Sequence, residues 1–188
     1  MSWEEGQLDT AEHIWLKAVR IFANGGNRAA SAEAYRSLAE LELWQTKVHQ
    51  ARKWFEKALA DANAAGSLTP VDQAAYASTE GWLDLEEKHI PEAADAYERS
   101  LDYCKLAFGE NHYLTGWGFL LLGKALTQEG QLGQALTDMR DGLAVLDQSL
   151  GPQNPKYWAA EIAQKSSLPM HSCWHCRCRS NPISFSTL

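Results

Sequence analysis

The 188-residue sequence lacks the features that would place it in or across a membrane. No stretch reaches the ~18 consecutive apolar residues that a membrane-spanning helix needs. The first residues, Met-Ser-Trp-Glu-Glu, do not follow the basic and then apolar pattern of a secretory signal. These two absences predict a cytoplasmic protein with no membrane partner.

Cysteine and positive charge are both scarce in residues 1–164. Cys104 is the single cysteine in this range, which excludes a disulfide framework there. The chain has 17 basic residues, of which Lys165, Arg177 and Arg179 follow residue 164, so 14 remain against 24 acidic ones and give −10. A surface of this sign repels phosphates and argues against a nucleic-acid partner.

Sequence motifs of the common enzyme classes are also absent. There is no glycine-rich phosphate loop, no Gly-x-Ser-x-Gly and no His-Glu-x-x-His. Carboxylate pairs such as Glu86-Glu87 and Asp138/Asp141 fit solvated helix faces better than general acids and bases. We therefore expect a non-catalytic protein without a cofactor.

What the sequence does contain is an internal repeat with a period of 42 residues. Three alanines recur at this spacing, and each is followed four positions later by a large apolar residue. Two glycines also lie 42 residues apart. These structural repeat positions are Ala51, Ala93 and Ala135; Phe55, Tyr97 and Met139; and Gly81 and Gly123.

Each copy of the repeat is predicted to form two helices. Thr69 and Pro70 are typical of a helix cap and a first helical position, and Gly130 is typical of a helix end. Asn111 is the predicted cap of the helix that follows it. The expected helices span residues 31–45, 48–64, 70–87, 92–107, 113–129 and 132–150.

The two glycines lie inside predicted helices, where each costs about 1 kcal/mol relative to alanine. Their recurrence at one repeat position indicates a close helix–helix approach that a larger side chain would block. We expect Gly81 and Gly123 to face the alanines of the second helix, with the large apolar residue filling the space one turn later.

This helix pair resembles the tetratricopeptide repeat (TPR), with Leu122-Gly123 in a first helix and Ala93…Tyr97 in a second. The 42-residue length and the connectors Gly109…His112 and Gly151…Pro155 are similar to the longer repeat subclass of kinesin light chains. The resemblance implies an all-α fold, a right-handed α-solenoid of antiparallel helix pairs in a TPR-like superhelix. It also implies a concave groove, lined by the first helices, that binds a protein or peptide ligand.

Three regions follow from the repeat. Residues 1–29 match a partial first repeat that has its second helix only, and residues 30–165 hold about three full units and the start of another helix. Residues 166–188 form a Cys- and Ser-rich tail that we predict to be disordered. Because the array begins and stops within a unit, we expect a truncated or spliced form of a longer protein.

The resemblance also assigns the groove-facing positions. The carboxylate clamp of some family members is absent, since Glu40 and Trp117 stand where it needs asparagine and lysine. Tryptophans at positions 44, 82 and 117 are instead predicted to form an apolar stripe, although they could equally pack as core between first helices. The predicted partner-binding residues are Arg36, Glu40, Trp44, Ser78, Trp82, Glu86, Trp117, Leu120 and Lys124.

A weak metal candidate lies in the tail. Three thiols and an imidazole would suffice for tetrahedral zinc, but the run is more compact than the usual two separated ligand pairs. An unstructured tail or a redox or lipid-modified segment are the alternatives. The residues concerned are Cys173, His175, Cys176 and Cys178.

Three functions remain open at this stage. The first is a TPR scaffold or adaptor that binds a peptide or partner helix in its groove. The second is a helical-repeat RNA-processing factor, which the stretch from Leu41 to Phe55 somewhat resembles. The third is an accessory repeat segment of a larger regulatory enzyme.

The repeat register makes a first prediction. Ala93→Leu is expected to overpack the helix crossing and to lower the free energy of unfolding by roughly 1–3 kcal/mol. A melting curve identical to that of the wild type would contradict the register.

Overall fold

The computed structural model describes residues 3–66, 68–151 and 154, with side chains described from residue 9 onward. This part of the chain contains helices and no strands. The seven helices are α1 (Trp3–Asn24), α2 (Arg28–Trp44), α3 (Val48–Ala65), α4 (Pro70–Glu86), α5 (Ile90–Phe108), α6 (Tyr113–Glu129) and α7 (Leu132–Leu150).

The helices form an α-solenoid. The helix pairs α2/α3, α4/α5 and α6/α7 have the most extensive contacts, and α1 packs on α2. Apolar clusters run through the whole stack, because each pair buries one face internally and another against its neighbour. The all-α solenoid predicted from the 42-residue period is therefore confirmed.

The helix starts follow from local side-chain chemistry. Thr69 and Asp72 form a reciprocal capping box ahead of Pro70, as the sequence predicts for the cap. The predicted cap Asn111 is wrong, because the next residue, His112, is the N-cap of α6. Its Nδ1 accepts a hydrogen bond from the Leu114 backbone N–H at 3.3 Å.

The turn inside each helix pair repeats one backbone conformation. Thr46, Lys88 and Gly130 lie 42 residues apart and have φ of +60°, +68° and +91°. In each turn the next residue donates its backbone N–H to a carbonyl oxygen five residues earlier. The sequence identified only Gly130, since threonine and lysine rarely adopt the left-handed region.

The glycines do mark close helix contacts, and the nearest side-chain atoms belong to the large apolar residue of the second helix. At Gly123 the predicted Ala135 is also in contact, because a Cβ on Gly123 would lie 3.1 Å from the Ala135 carbonyl oxygen. A Cβ on Gly81 would lie 2.8 Å from Cδ1 of Tyr97, and one on Gly123 would lie 2.6 Å from Cγ of Met139. The large residue of the second helix therefore lies across the glycine. Ala93, the expected partner of Gly81, is fully buried in the same cluster as Tyr97.

Two glycines bring the backbones of α6 and α7 close together. A Cβ on Gly142 would lie 2.7 Å from the Gly116 carbonyl oxygen and 2.9 Å from Cβ of Phe119. A Cβ on Gly116 would in turn lie 3.0 Å from the Gly142 carbonyl oxygen. A step of 42 takes Gly116 to Ala74 and Gly142 to Ser100, whose hydroxyl donates to the Ala74 carbonyl oxygen at 2.8 Å. The α4/α5 pair therefore crosses at the equivalent positions, with small residues in place of the glycines.

The α3–α4 junction relies on charge as well as packing. Arg52 of α3 donates to Asp84 of α4 at 2.6 Å and to Glu87, at the end of α4, at 2.5 and 3.1 Å. The hydrogen bond to Glu87 raises the pKa of Arg52 by more than burial lowers it, and the hydrogen bond to Asp84 also raises it. The net pKa of Arg52 is therefore above its ordinary value. This arginine therefore stays charged and holds the two repeats together.

Among the described helices, none is both long enough and apolar enough to cross a membrane.

The α6–α7 crossing predicts opposite outcomes for two glycines of one helix. Gly142→Ala is expected to destabilise the protein by about 1–3 kcal/mol, because its methyl group would meet backbone that cannot move aside cheaply. Gly133→Ala is the matched control, since a Cβ there has no neighbour within 4 Å, and it should stabilise by up to about 1 kcal/mol. Urea unfolding of both variants measures the difference, and equal effects would show that the crossing is not tight.

Candidate partner-binding face

The candidate face is built mainly from α2 and α4, which lie side by side. The repeat places equivalent positions of α2, α4 and α6 at the same height along the helices. Three rows of residues result, and they contain eight of the nine predicted partner-binding residues. The rows are 36, 78 and 120; 40, 82 and 124; and 44, 86 and 128.

Two tryptophans meet across α2 and α4. The rings of Trp44 and Trp82 have centroids 5.1 Å apart and planes at 81°, an edge-to-face arrangement. Trp44 is 71% exposed, whereas Trp82 is half-buried and packs against the two largest apolar clusters. Trp82 therefore acts as core and at the same time supports the exposed ring of Trp44.

Trp117 does not continue this pair into a stripe. It is 38% exposed on α6, and within the described part of the chain its ring makes no contact with Trp82. In the repeat, Trp117 of α6 is equivalent to Ala75 of α4, and Ala75 precedes Trp82 by seven residues. Seven residues of α-helix span about 10 Å, so Trp117 is displaced from Trp82 by about this distance along the helix direction. The predicted stripe of three tryptophans is a pair with one separate ring.

Leu120 is a core residue rather than a groove residue. Only 7% of it is exposed, and it lies in the cluster of Met139 and Leu146. Leu43 and Leu85, on α2 and α4, are likewise buried. The prediction for Leu120 is wrong because α6 is packed on more than one side, so its apolar residues do not all face the groove.

A polar network lies next to the tryptophan pair. Arg36 donates to both Glu33 oxygens, at 2.5 and 3.0 Å, and to Glu40. The Thr79 hydroxyl of α4 lies 2.9 Å from Glu40 Oε1, so the network connects the two helices. Burial lowers the pKa of Arg36, but the hydrogen bond to Glu33 and the two carboxylate charges outweigh it, and the net pKa is raised.

Tyr76 of α4 lies near the same network. Burial, followed by the negative charge of Glu33, raises the pKa of Tyr76 to about 12. Its hydroxyl therefore remains protonated at neutral pH. The positive charge of Arg36 lowers the pKa of Tyr76, but Arg36 is also paired with the carboxylates of Glu33 and Glu40.

The remaining predicted residues lie at the edges of the face. Ser78 is half-buried, and Glu86 and Lys124 are exposed. Within the described residues, neither Glu86 nor Lys124 forms an ion pair with another side chain. These two charges are available to a ligand.

The described residues offer one compact group of metal-ligand side chains, Asp84, Glu87 and His89. Arg52 already bonds both carboxylates, so the group serves as an ion pair between repeats. Cys104 is buried, and burial raises the pKa of its thiol. The tail candidates Cys173, His175, Cys176 and Cys178 lie outside the described residues.

Comparisons with known proteins support the fold and leave the family open. No family model matches the chain, and no curated protein is similar in sequence. Among solved structures, the chain is similar to BtubC (BKLC) from P. vanneervenii, with a TM-score of 0.65 and 17% sequence identity. The alignment covers 89% of this chain and 68% of that one. This likeness places the chain in the class of α-helical repeat proteins.

The geometry predicts that the two paired tryptophans differ in their effect on stability. Trp82→Ala is expected to lower the free energy of unfolding by about 2 kcal/mol or more, because it leaves a cavity between two core clusters. Trp44→Ala should cost well under about 1 kcal/mol, since its ring is mostly in solvent. Chemical denaturation compares them, and a similar loss for both variants would contradict the assignment of Trp82 to the core.

Proposed function

We propose that this chain is a non-catalytic TPR-type interaction module, with the 42-residue repeat typical of kinesin light chains. Its ligand is a peptide or partner helix that binds on the face of α2, α4 and α6. The observation that carries the proposal is the exposed indole of Trp44, held edge-on by the anchored ring of Trp82.

An exposed tryptophan on a rigid support is well suited to binding. Tryptophan buries a large area for little loss of side-chain entropy, and it is enriched at the centres of protein interfaces. Because Trp82 is fixed by the core, Trp44 needs less ordering when a ligand binds. We infer that Trp44 contacts an apolar side chain of the ligand.

The charges of the face indicate how a ligand would be oriented. Arg36 is occupied by Glu33 and Glu40 and is therefore poorly placed to grip a terminal carboxylate. Glu86 of α4 and Lys124 of α6 are exposed charges of opposite sign, one repeat after Trp44 and Trp82 respectively. A ligand with an apolar anchor and complementary charges at its flanks fits this arrangement.

The two alternatives have less support. Two of the arginines that an RNA-processing factor could use, Arg36 and Arg52, are each paired with two carboxylates. RNA binding that falls steeply with salt would favour that alternative. An accessory role in a larger enzyme requires a catalytic domain outside these residues, and a longer reading frame would reveal one.

The proposal is tested by selecting ligands from a displayed random-peptide library on the purified full chain. The selected peptides are expected to share an apolar or aromatic anchor, and Trp44→Ala should weaken their binding at least ten-fold, as measured by calorimetry. Leu106→Ala is the matched control, because Leu106 of α5 is also 71% exposed but lies on a second helix. This control should bind like the wild type.

Two results would contradict the proposal. One is a selection that yields no peptide with an apolar anchor. The other is a set of peptides whose affinity is unchanged by Trp44→Ala and reduced by Leu106→Ala, because binding would then involve the second helices. Melting temperatures of both variants confirm that each remains folded.

A further inference from the structure

An open cavity of about 770 Å³ lies between α1, the end of α2 and the start of α3. Its walls include Glu12 and Leu16 of α1, Glu42 of α2, and His49 and Trp54 of α3. Glu42 and Trp44 are two residues apart on one helix and so do not share a face. The cavity is therefore separate from the tryptophan pair and independent of the function proposed above.

A buried carboxylate with one unsatisfied oxygen belongs to a residue of the cavity wall. The Glu42 side chain is only 5% exposed, and among the described residues its Oε2 has no hydrogen-bond partner. The nearest cation is Lys47, whose Nζ lies 3.5 Å away and whose side chain is half in solvent. A buried carboxylate that is held so loosely is costly, and a well-aligned donor would lower that cost.

In the next repeat, the equivalent carboxylate has an arginine as its donor. A step of 42 takes Glu42 to Asp84 and Gln45 to Glu87, and in that repeat both residues bond Arg52. The same step takes Arg52 back to position 10, which is threonine and cannot supply a guanidinium group. Gln45 also has a buried side-chain nitrogen, for which the described residues provide no hydrogen-bond partner.

A second unsatisfied group belongs to Trp54. Its indole Nε1 is buried and finds no hydrogen-bond acceptor in the part of the chain that the structure describes, although Trp54 contributes to the cavity wall. This donor suits a carbonyl oxygen. The cavity thus combines a carboxylate for a cation with an N–H donor for a carbonyl, and a single arginine residue within a peptide carries both complementary groups.

We propose that this cavity binds an arginine side chain of a partner peptide. The guanidinium group bonds the Glu42 carboxylate, in the role that Arg52 has toward Asp84, and a peptide carbonyl accepts from Trp54 Nε1. Arginine is favoured over lysine because its planar group presents five donors and pairs bidentately with a carboxylate. Glu12 adds a second negative charge to the wall, so the carboxylates outnumber Lys47.

The test uses the full chain and N-acetyl-arginine-N-methylamide as the probe. The indole N–H signal of Trp54, assigned with Trp54→Phe, is followed by ¹⁵N NMR during titration. The expected result is a saturable shift with a Kd on the order of millimolar. The neutral isostere N-acetyl-citrulline-N-methylamide and the lysine analogue should each bind at least ten-fold more weakly. Equal binding of the citrulline compound would overturn the proposal.

Titration with ethylguanidinium distinguishes a site for a small guanidinium compound from a site for an arginine residue of a peptide. It lacks the carbonyl groups, so it should bind more weakly than the arginine probe and shift the Trp54 signal less. If ethylguanidinium binds as tightly as the arginine probe, the cavity takes a small guanidinium compound, and the peptide assignment is wrong.

Two variants alter the site in different ways. Glu42→Gln removes the carboxylate charge and should weaken the arginine probe at least ten-fold, whereas Glu92→Gln, at an exposed carboxylate of α5 outside both surfaces, should not. Glu12→Arg retains Glu42 but supplies a guanidinium from within the chain, so it should raise the melting temperature and abolish binding of the probe. Unchanged binding in both Glu42→Gln and Glu12→Arg would contradict the proposal. Trp44→Ala should leave the titration unaffected.

Discussion

Direct backbone contact between paired helices is the constraint on which this structure depends. At the α6–α7 crossing, Gly116 and Gly142 bring each helix against a carbonyl oxygen of the other. In the α4/α5 pair, Gly81 provides the space for the Tyr97 ring. Because each pair packs only on its neighbours, these contacts also determine where the first helices lie relative to one another. The positions of the surface residues on α2, α4 and α6 follow from them.

Under the proposed function, stability and recognition are coupled at Trp82. One side of this residue belongs to the two main apolar clusters, and its ring edge supports Trp44. The network of Arg36, Glu40 and Thr79 connects the same two helices beside it. A ligand that contacts Trp44 consequently meets a surface whose geometry the core has already fixed, which reduces the entropy lost on binding.

Much of the fold could be predicted from the sequence, because the 42-residue period determines which positions are equivalent. The Thr69-Pro70 start of α4 and the end of α6 at Gly130 follow from local chemistry. The period does not determine which neighbour a residue contacts, so the partner of Gly81 and the burial of Leu120 had to come from the structure. Left-handed turns without glycine, as at Thr46, give no recognisable sequence signal.

Positions at which one copy of the repeat differs from the others indicate a binding site better than positions that are alike in every copy. A position with similar residues in every copy serves the helix crossing, and it needs no further explanation. Glu42 differs, because it is as buried as a core residue and carries a charge whose counterpart in the next copy is paired with Arg52. Burial of a charge persists in a stable protein only when something offsets its cost. In this copy the described residues supply Lys47, whose Nζ lies 3.5 Å from Glu42 Oε2 but whose side chain is half in solvent. The arginine ligand proposed above would add the pairing that Arg52 gives to Asp84.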